Sequence, residues 1–222
     1  MGKVDDWIKW LEAVNLDVRD LLFARQVYRR VGEIVDANPR IQRPSHYYDF
    51  LQRVYASHVA MGVRRQVDEG RDTQSLRRLL RDIAGKPEFL NRKRYVDLVV
   101  DSAKGPGATE RARLRADQEF DERHGAGAQH FRSQHAREDE EGLIKIAERV
   151  KAHVDSHLAH LGRERPEQQP ATFDELDECL DALEKLVAKY MLELRAVTYQ
   201  PEPVLVGPWL EIFRVPWIDD DG

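Results

Sequence analysis

The chain has 222 residues, of which 34% are charged and 41% hydrophobic, and its formal net charge is −5 at pH 7. This length fits one domain with an extension or two small domains. No apolar run approaches the ~18–20 residues needed to span a bilayer, which excludes a membrane-spanning helix. The net negative charge argues against a general nucleic-acid coat.

A cytoplasmic location is expected from two features of the sequence. The amino-terminal stretch MGKVDDWIKWLEAV lacks the apolar core and the cleavage site of a secretory signal. Cys179 is the single cysteine, so no intramolecular disulfide can form, which suits a reducing compartment. Cys179 falls in a helical apolar register and is expected to be a small core residue.

Two long helices are predicted at the start of the chain. Apolar residues at three- and four-residue spacing predict the first helix from Asp5 to about Ala37, and Asn38-Pro39 ends it. Ser45 is a natural N-cap for the second helix, which runs to about Asp68. This second helix is predicted to be well buried, because apolar residues lie on more than one of its faces. They are Tyr47, Phe50, Leu51, Val54, Met61 and Val63.

Two shorter helices are predicted next. Asp72 or Thr73 is expected to cap a helix that contains Leu76 and Ile83 and closes at Gly85. A further helix is predicted over Arg92–Val100.

The stretch from residue 64 to residue 94 is locally basic, with ten arginines and lysines against five acidic residues. It predicts either a positive patch or a solvated face whose charges pair internally. Both Arg64 and Arg65 have a spacing from Asp68 that allows an ion pair on a helix.

Residues 102–134 are predicted to be a flexible insertion or linker. The stretch KGPGATERARLRADQEFDERHGAGAQHFRSQ combines glycines and alternating charges with few apolar residues. A weak helical turn is expected around Ala112–Phe120. His124, His130 and His135 do not have the spacing of a metal site.

A helix from Glu141 to Leu161 carries the titratable residues of greatest interest. Its sequence EGLIKIAERVKAHVDSHLAHL predicts one apolar stripe against the core. His153, His157 and His160, at positions i, i+4 and i+7, share a second stripe beside it. Three histidines at the edge of a core seam fit either a functional site or half-buried structural side chains.

The last helix has the most specific start signal in the chain. Thr172 and Glu175 form a capping box ahead of a continuous apolar seam. Residues 198–222 then contain prolines that exclude helix across most of the segment, together with many apolar side chains. This tail is expected to pack in extended form on the bundle or on a partner.

No β alternation appears outside the tail, so the fold class is all-α, a helical bundle. The AH pair that closes DSHLAH resembles the signature end of HEPN domains. More closely, the whole chain, residues 1–222, resembles the abortive-infection U-type HEPN-like proteins of bacteria as one domain. The resemblance rests on WLEAVNLDVRDLLFARQVY, AMGVRRQVDEGRDTQSLRRLLRDIA, HVDSHLAH, TFDELDECLDALEKLVAKY and IFRVPWI, in the same order.

This resemblance implies a bundle that forms a homodimer and acts in phage defence or a toxin–antitoxin system. RNA or a nucleotide is the implied ligand, an antitoxin or other protein the implied partner, and no metal or other cofactor is implied. Many such proteins are metal-independent ribonucleases with a motif of an arginine, a polar residue and a histidine four to six residues beyond the arginine. Histidine then acts on the RNA 2′-hydroxyl, and arginine stabilises charge on the phosphorane.

The sequence departs from this motif at the arginine. With His160 as the motif histidine and Asp155 at the polar position, the arginine position falls on Val154. Arg149, which lies nearest, is roughly 16 Å from His160 along a helix axis. The catalytic candidates are therefore His160, Asp155 and His157. The phosphate-binding candidates that would replace the arginine are Arg64 and Arg65, from the facing helix or a partner chain, ahead of Lys151 and His153.

Two other functions remain open from the sequence. A non-catalytic HEPN module that binds RNA, a nucleotide or a partner protein needs the fold but not the arginine. A zinc site is the third hypothesis, since His153 and His157 have i, i+4 spacing, but the sequence offers no clear third ligand.

Overall fold

The computed structural model describes residues 2–105, 107–158, 170–201 and 208–215, with the side chains of residues 157 and 158 outside the description. Seven α-helices occur in these ranges, and the all-α class predicted from the sequence is confirmed. They are α1 (Lys3–Ala37), α2 (His46–Gln66), α3 (Leu76–Gly85), α4 (Arg92–Ser102), α5 (Ala108–His124), α6 (Ser133–His153) and α7 (Phe173–Arg195). None of the described helices is long and apolar enough to cross a membrane.

Four long helices form the main bundle. Helix α1 packs on α2 and α7, while α6 packs on α7, α2 and the short α3. The core seam predicted for this helix is confirmed as far as Val154, because Leu143, Ala147, Val150 and Val154 are all buried. Gly62 in α2 permits close packing on α1, since a Cβ atom at this position would overlap the Leu21 side chain.

Side-chain caps start the helices largely as the sequence predicted. The Ser45 hydroxyl accepts from the Tyr47 N–H at the start of α2. Thr172 and Glu175 form the predicted capping box of α7. For α3, however, the cap expected at Asp72 or Thr73 is Ser75, which directly precedes the first helical residue and accepts from the Arg78 N–H.

Helices α4 and α5 form a hairpin beside the bundle. The segment 102–134 was expected to contain only a weak helical turn, but it holds the 17-residue helix α5. Ala116, Phe120 and His124, at i, i+4 and i+8, form its buried stripe. Tyr95 and Val96 of α4 join Ala116 and Phe120 in a small separate core.

The outer face of α2 is exposed, contrary to the prediction that this helix is well buried. Tyr47, Phe50 and Val54 are each about half exposed, because no other described element covers that side. The inner face packs as expected, with Val63 fully buried.

The helix that carries the histidines ends earlier than its sequence predicted. Helix α6 stops at His153, and Val154–Leu158 forms a π-helical turn. The α-helical spacing assumed for His153 and His157 therefore does not hold across this turn, and His160 lies outside the described residues. In the tail, Glu211–Arg214 forms a short 3₁₀ helix that is exposed.

Candidate functional site

Four charged side chains meet where the end of α2 crosses the π-helical turn. The Arg64 Nε donates to Asp155 Oδ1 at 3.1 Å, and its Nη1 donates to Asp68 Oδ2 at 3.0 Å. Lys151 Nζ donates to the other Asp155 oxygen at 2.5 Å. We call Arg64, Asp68, Lys151 and Asp155 the charge cluster. It brings together Arg64 and Asp155, two site residues that the sequence predicted separately.

Local structure explains how the cluster forms. Arg64 lies in the last turn of α2, and Asp68, four residues later, can turn back toward it. Lys151 lies four residues before Asp155. Because Asp155 belongs to the π-helical turn, it sits next to the end of α2. Among protein helices, π-helical turns frequently mark functional sites.

The electrostatics of the cluster keep Asp155 ionised. Burial raises the pKa of Asp155, but hydrogen bonds from Lys151 and Arg64 outweigh burial and hold its pKa below the ordinary 3.8. The pKa of Arg64 is raised, chiefly by its hydrogen bond to Asp155. A carboxyl group with such a low pKa is a poor proton donor or acceptor near neutral pH. Asp155 is thus suited to orient cations rather than to transfer protons.

The motif position of the missing arginine lies in the core. Val154 is fully buried, so the side chain at this position does not face the charge cluster. Arg149 projects elsewhere and forms an ion pair with Glu175. Within the described part of the chain, α2 therefore brings an arginine to the motif region, in the form of Arg64.

The two neighbouring arginines of α2 have different partners. Arg65 Nη2 pairs with Asp17 of α1 at 2.6 Å, and the same carboxylate accepts from Gln66 at 2.6 Å. Arg65 therefore braces α2 against α1 rather than joining the charge cluster. The Arg64 Nη2 makes no hydrogen bond with described residues, which leaves donors for another acceptor.

The predicted histidines fall at the edge of what the structure describes. His160 lies outside the described residues, and so does the side chain of His157. His153 is half-buried at the end of α6. No group of three His, Cys, Asp or Glu side chains converges as in a metal site among the described residues. The catalytic roles assigned to His160 and His157 stay predictions.

The basic stretch 64–94 is largely neutralised by ion pairs. Arg77 and Arg81 share Glu140 and Glu69, while Arg92 pairs with Asp117 and Asp121. The stretch is therefore neutralised rather than a positive patch, but most of its acidic partners lie outside residues 64–94, which differs from the solvated face with internal pairs that the sequence left open.

Sequence reasoning missed a second group of arginines just upstream. Arg40, Arg43 and Arg53 are exposed and form no ion pair with described residues. Asp49 is the single acidic residue between positions 38 and 63. This scarcity of acidic residues is a signal that the sequence already contained.

Comparison with protein-family models places the chain in a known family. A family model, HEPN_AbiU2, described as AbiU2, matches residues 6–205. No curated protein and no solved structure matches the chain at a significant level.

Proposed function

The chain belongs to the AbiU2 family of HEPN proteins, an abortive-infection type, and on that premise we propose that it is a metal-independent endoribonuclease in which Arg64 replaces the motif arginine. The observation that carries this proposal is the 3.1 Å hydrogen bond from Arg64 Nε to Asp155, the residue at the polar position of the motif. This hydrogen bond supports a site in which the motif arginine is absent and the guanidinium of Arg64, on α2, takes its place.

In the proposed reaction, His160 takes the proton of an RNA 2′-hydroxyl. The 2′-oxygen attacks the adjacent phosphorus, the bond to the 5′-oxygen breaks, and His157 protonates that leaving oxygen. The products are a 2′,3′-cyclic phosphate and a 5′-hydroxyl. Two copies of the chain form the homodimer that the family resemblance implies, with the histidine segments of both copies at one interface.

Arg64 stabilises the negative charge that develops on the phosphorane. Such a donor is typically worth on the order of 10²–10³ in rate. The unused Nη2 of Arg64 is the group proposed to contact the phosphate. Asp155 is a positioning residue that fixes the guanidinium through its ion pair.

A specific observation favours a second candidate, a non-catalytic module that binds RNA, a nucleotide or a protein. Two carboxylates, Asp155 and Asp68, already contact Arg64, and the four side chains of the charge cluster sum to zero formal charge. A neutralised guanidinium attracts a phosphate more weakly than a free one.

Cleavage of total RNA in EDTA by the wild type and by His160→Ala separates the two candidates. The proposal predicts fragments with 2′,3′-cyclic phosphate ends from the wild type and none from the variant. If a folded wild type leaves RNA intact, the ribonuclease proposal is wrong and the binding module takes its place. Cleavage that persists in His160→Ala contradicts the assigned base.

A further inference from the structure

Two aromatic rings and an arginine follow one another along the exposed outer face of α2. Tyr47, Phe50 and Arg53 are spaced three residues apart, so neighbouring side chains of this row start roughly 5–6 Å from each other. Tyr47 and Phe50 are each about half exposed. Exposed rings in such a row offer flat faces on which other planar groups can stack.

The loop before α2 adds two more arginines beside the first turn of this helix. Arg40 and Arg43 lie in the loop, and both are exposed. The Tyr48 hydroxyl of α2 donates to the Ile41 carbonyl at 2.9 Å, which holds the loop against the helix. The two arginines therefore lie at the same end of α2 as the aromatic row. We call this group the tip surface, and its members are Arg40, Arg43, Tyr47, Phe50 and Arg53.

The tip surface is positive in a chain that is negative overall. Its three arginines form no ion pair with described residues. Asp49 is the single acidic residue between positions 38 and 63, and its carboxylate lies 3.7 Å from the His46 ring. Three arginines against one aspartate give this stretch a formal charge of +2, whereas the whole chain has −5. A polyanion is therefore attracted to this end of α2 rather than to the molecule at large.

We propose that the tip surface binds single-stranded RNA, with its arginines on phosphates and with Tyr47 and Phe50 stacked on bases. Guanidinium groups suit phosphate oxygens because their N–H donors are fixed in one plane. Cations combined with aromatic stacking platforms hold single strands without reading their sequence.

The tip surface and the charge cluster lie on the same helix. Phe50 is about 21 Å along α2 from Arg64, so an RNA strand that crosses this distance contacts both. The inference rests on the proposed function for the choice of RNA among single-stranded nucleic acids, and it adds a contact that is separate from the cleavage site.

Two other occupants fit the tip surface less well. A second copy that met this face with its own would bring like-charged arginines together, with Asp49 as the only acidic residue of the stretch. An anionic bilayer would accept the aromatic rings, but it presents a broad negative plane to a chain whose net charge is −5. A single strand can meet the tip surface alone.

Anisotropy of a fluorescent single-stranded RNA 20-mer measures the contribution of the arginines. Its sugars are 2′-O-methylated, so it lacks the attacking hydroxyl and stays intact whether or not the protein cleaves RNA. Arg40→Ala/Arg43→Ala/Arg53→Ala should bind at least tenfold more weakly than the wild type at low salt. The slope of log affinity against log salt should become shallower by roughly 2, because each phosphate contact on a single strand contributes about 0.7.

Arg113→Ala/Arg132→Ala/Arg137→Ala is the matched control. These arginines are exposed, form no ion pair with described residues and lie outside α2 and its preceding loop. Both triple variants lose three positive charges, so a difference between them reports position rather than net charge. The control should keep the slope of the wild type.

Substitutions of Phe50 test stacking separately from charge. Phe50→Ala should weaken binding about tenfold and leave the salt slope unchanged, because the lost contact is with a base rather than a phosphate. Phe50→Tyr keeps an aromatic ring and should bind like the wild type. Circular dichroism shows whether each variant is folded.

Several outcomes overturn the proposal. They are equal losses in the two triple variants, an unchanged slope when the tip arginines are removed, full affinity in Phe50→Ala, and no RNA binding by the folded wild type. A dimer that Phe50→Ala dissociates in light scattering, without an effect on RNA binding, assigns the surface to a second copy instead. Failure of the proposed function is distinct: a wild type that binds the 20-mer through the tip surface but leaves unmodified RNA intact refutes the ribonuclease and supports this inference.

Discussion

Arg64 and Arg65 are consecutive in sequence, yet they serve different parts of the molecule. One helical step turns successive side chains by about 100°, so Arg64 faces the π-helical turn while Arg65 faces Asp17 of α1. The proposed catalytic cation and a structural ion pair therefore occupy adjacent positions. Substitution of Arg65 is therefore a matched control for substitution of Arg64.

The pH dependence of RNA cleavage distinguishes the roles of Asp155 and the histidines. A histidine base must be neutral, so the acid side of the rate profile should have its midpoint near pH 6.5, the ordinary histidine pKa, and because the histidine acid must be protonated the rate should fall again at higher pH. Asp155, with its pKa below 3.8, stays ionised through that range. Asp155→Asn should lower the rate at every pH without moving the midpoint, since the amide still accepts a hydrogen bond but carries no charge.

The matched control for this profile is Asp17→Asn, which removes the carboxylate that Arg65 contacts. It should leave both the rate and the midpoint close to those of the wild type. A midpoint below pH 4, or one that shifts in Asp155→Asn, contradicts a histidine base with Asp155 as its positioning partner.

At the residue scale, the sequence predicted the members of the site better than their pairing. The family resemblance supplied the motif and with it the departure at Val154, and Arg64 and Arg65 were then the candidate replacements. The contact between Arg64 and Asp155 spans 91 residues and depends on how α2 crosses the π-helical turn. Local periodicity carries no information on such a crossing.

At the element scale, α5 is held by a buried ion cluster rather than by a broad apolar face. His124 Nε2 lies 3.2 Å from Glu193 Oε2, and Arg123 donates to the other oxygen of Glu193 at 3.0 Å. Both His124 and Glu193 are buried. A charged anchor of this kind explains how a segment with so few apolar residues packs as a helix.

Removal of Glu193 should therefore destabilise the protein. Glu193→Ala leaves a buried histidine and an arginine without their partner, which typically costs roughly 3–5 kcal/mol. Glu122→Ala, at a neighbouring exposed position of α5, should stay within about 0.5 kcal/mol of the wild type. Urea unfolding followed by far-UV circular dichroism measures both. A loss under about 1 kcal/mol in Glu193→Ala would show that the cluster does not anchor α5.

Helix starts were the most predictable elements because their signals are local. The Ser45 cap and the Thr172–Glu175 capping box are each confined to four residues. Helix α5 was not predicted at its full length because its buried stripe has a single large apolar residue, Phe120. The exposed face of α2 was mispredicted because apolar side chains show that a face can be buried, not that this chain supplies what buries it.

At the scale of the whole molecule, the distribution of charge matters more than its total. The net charge of −5 does not show that two basic regions of the chain differ in how many ion pairs they form. The stretch 64–94 is rich in arginine but paired mostly with carboxylates elsewhere in the chain, whereas Arg40, Arg43 and Arg53 have no ion pair to described residues. The charge cluster lies at the far end of α2 from Arg40 and Arg43.

The most direct test of the central claim compares Arg64→Ala with Arg65→Ala in the RNA cleavage assay in EDTA, under single-turnover conditions. If Arg64 replaces the motif arginine, Arg64→Ala should lose about 10²–10³ in rate, whereas Arg65→Ala should stay within a few-fold of the wild type. Circular dichroism must show both variants folded. Wild-type cleavage by Arg64→Ala, or equal losses in the two variants, would contradict the claim that α2 supplies the catalytic cation.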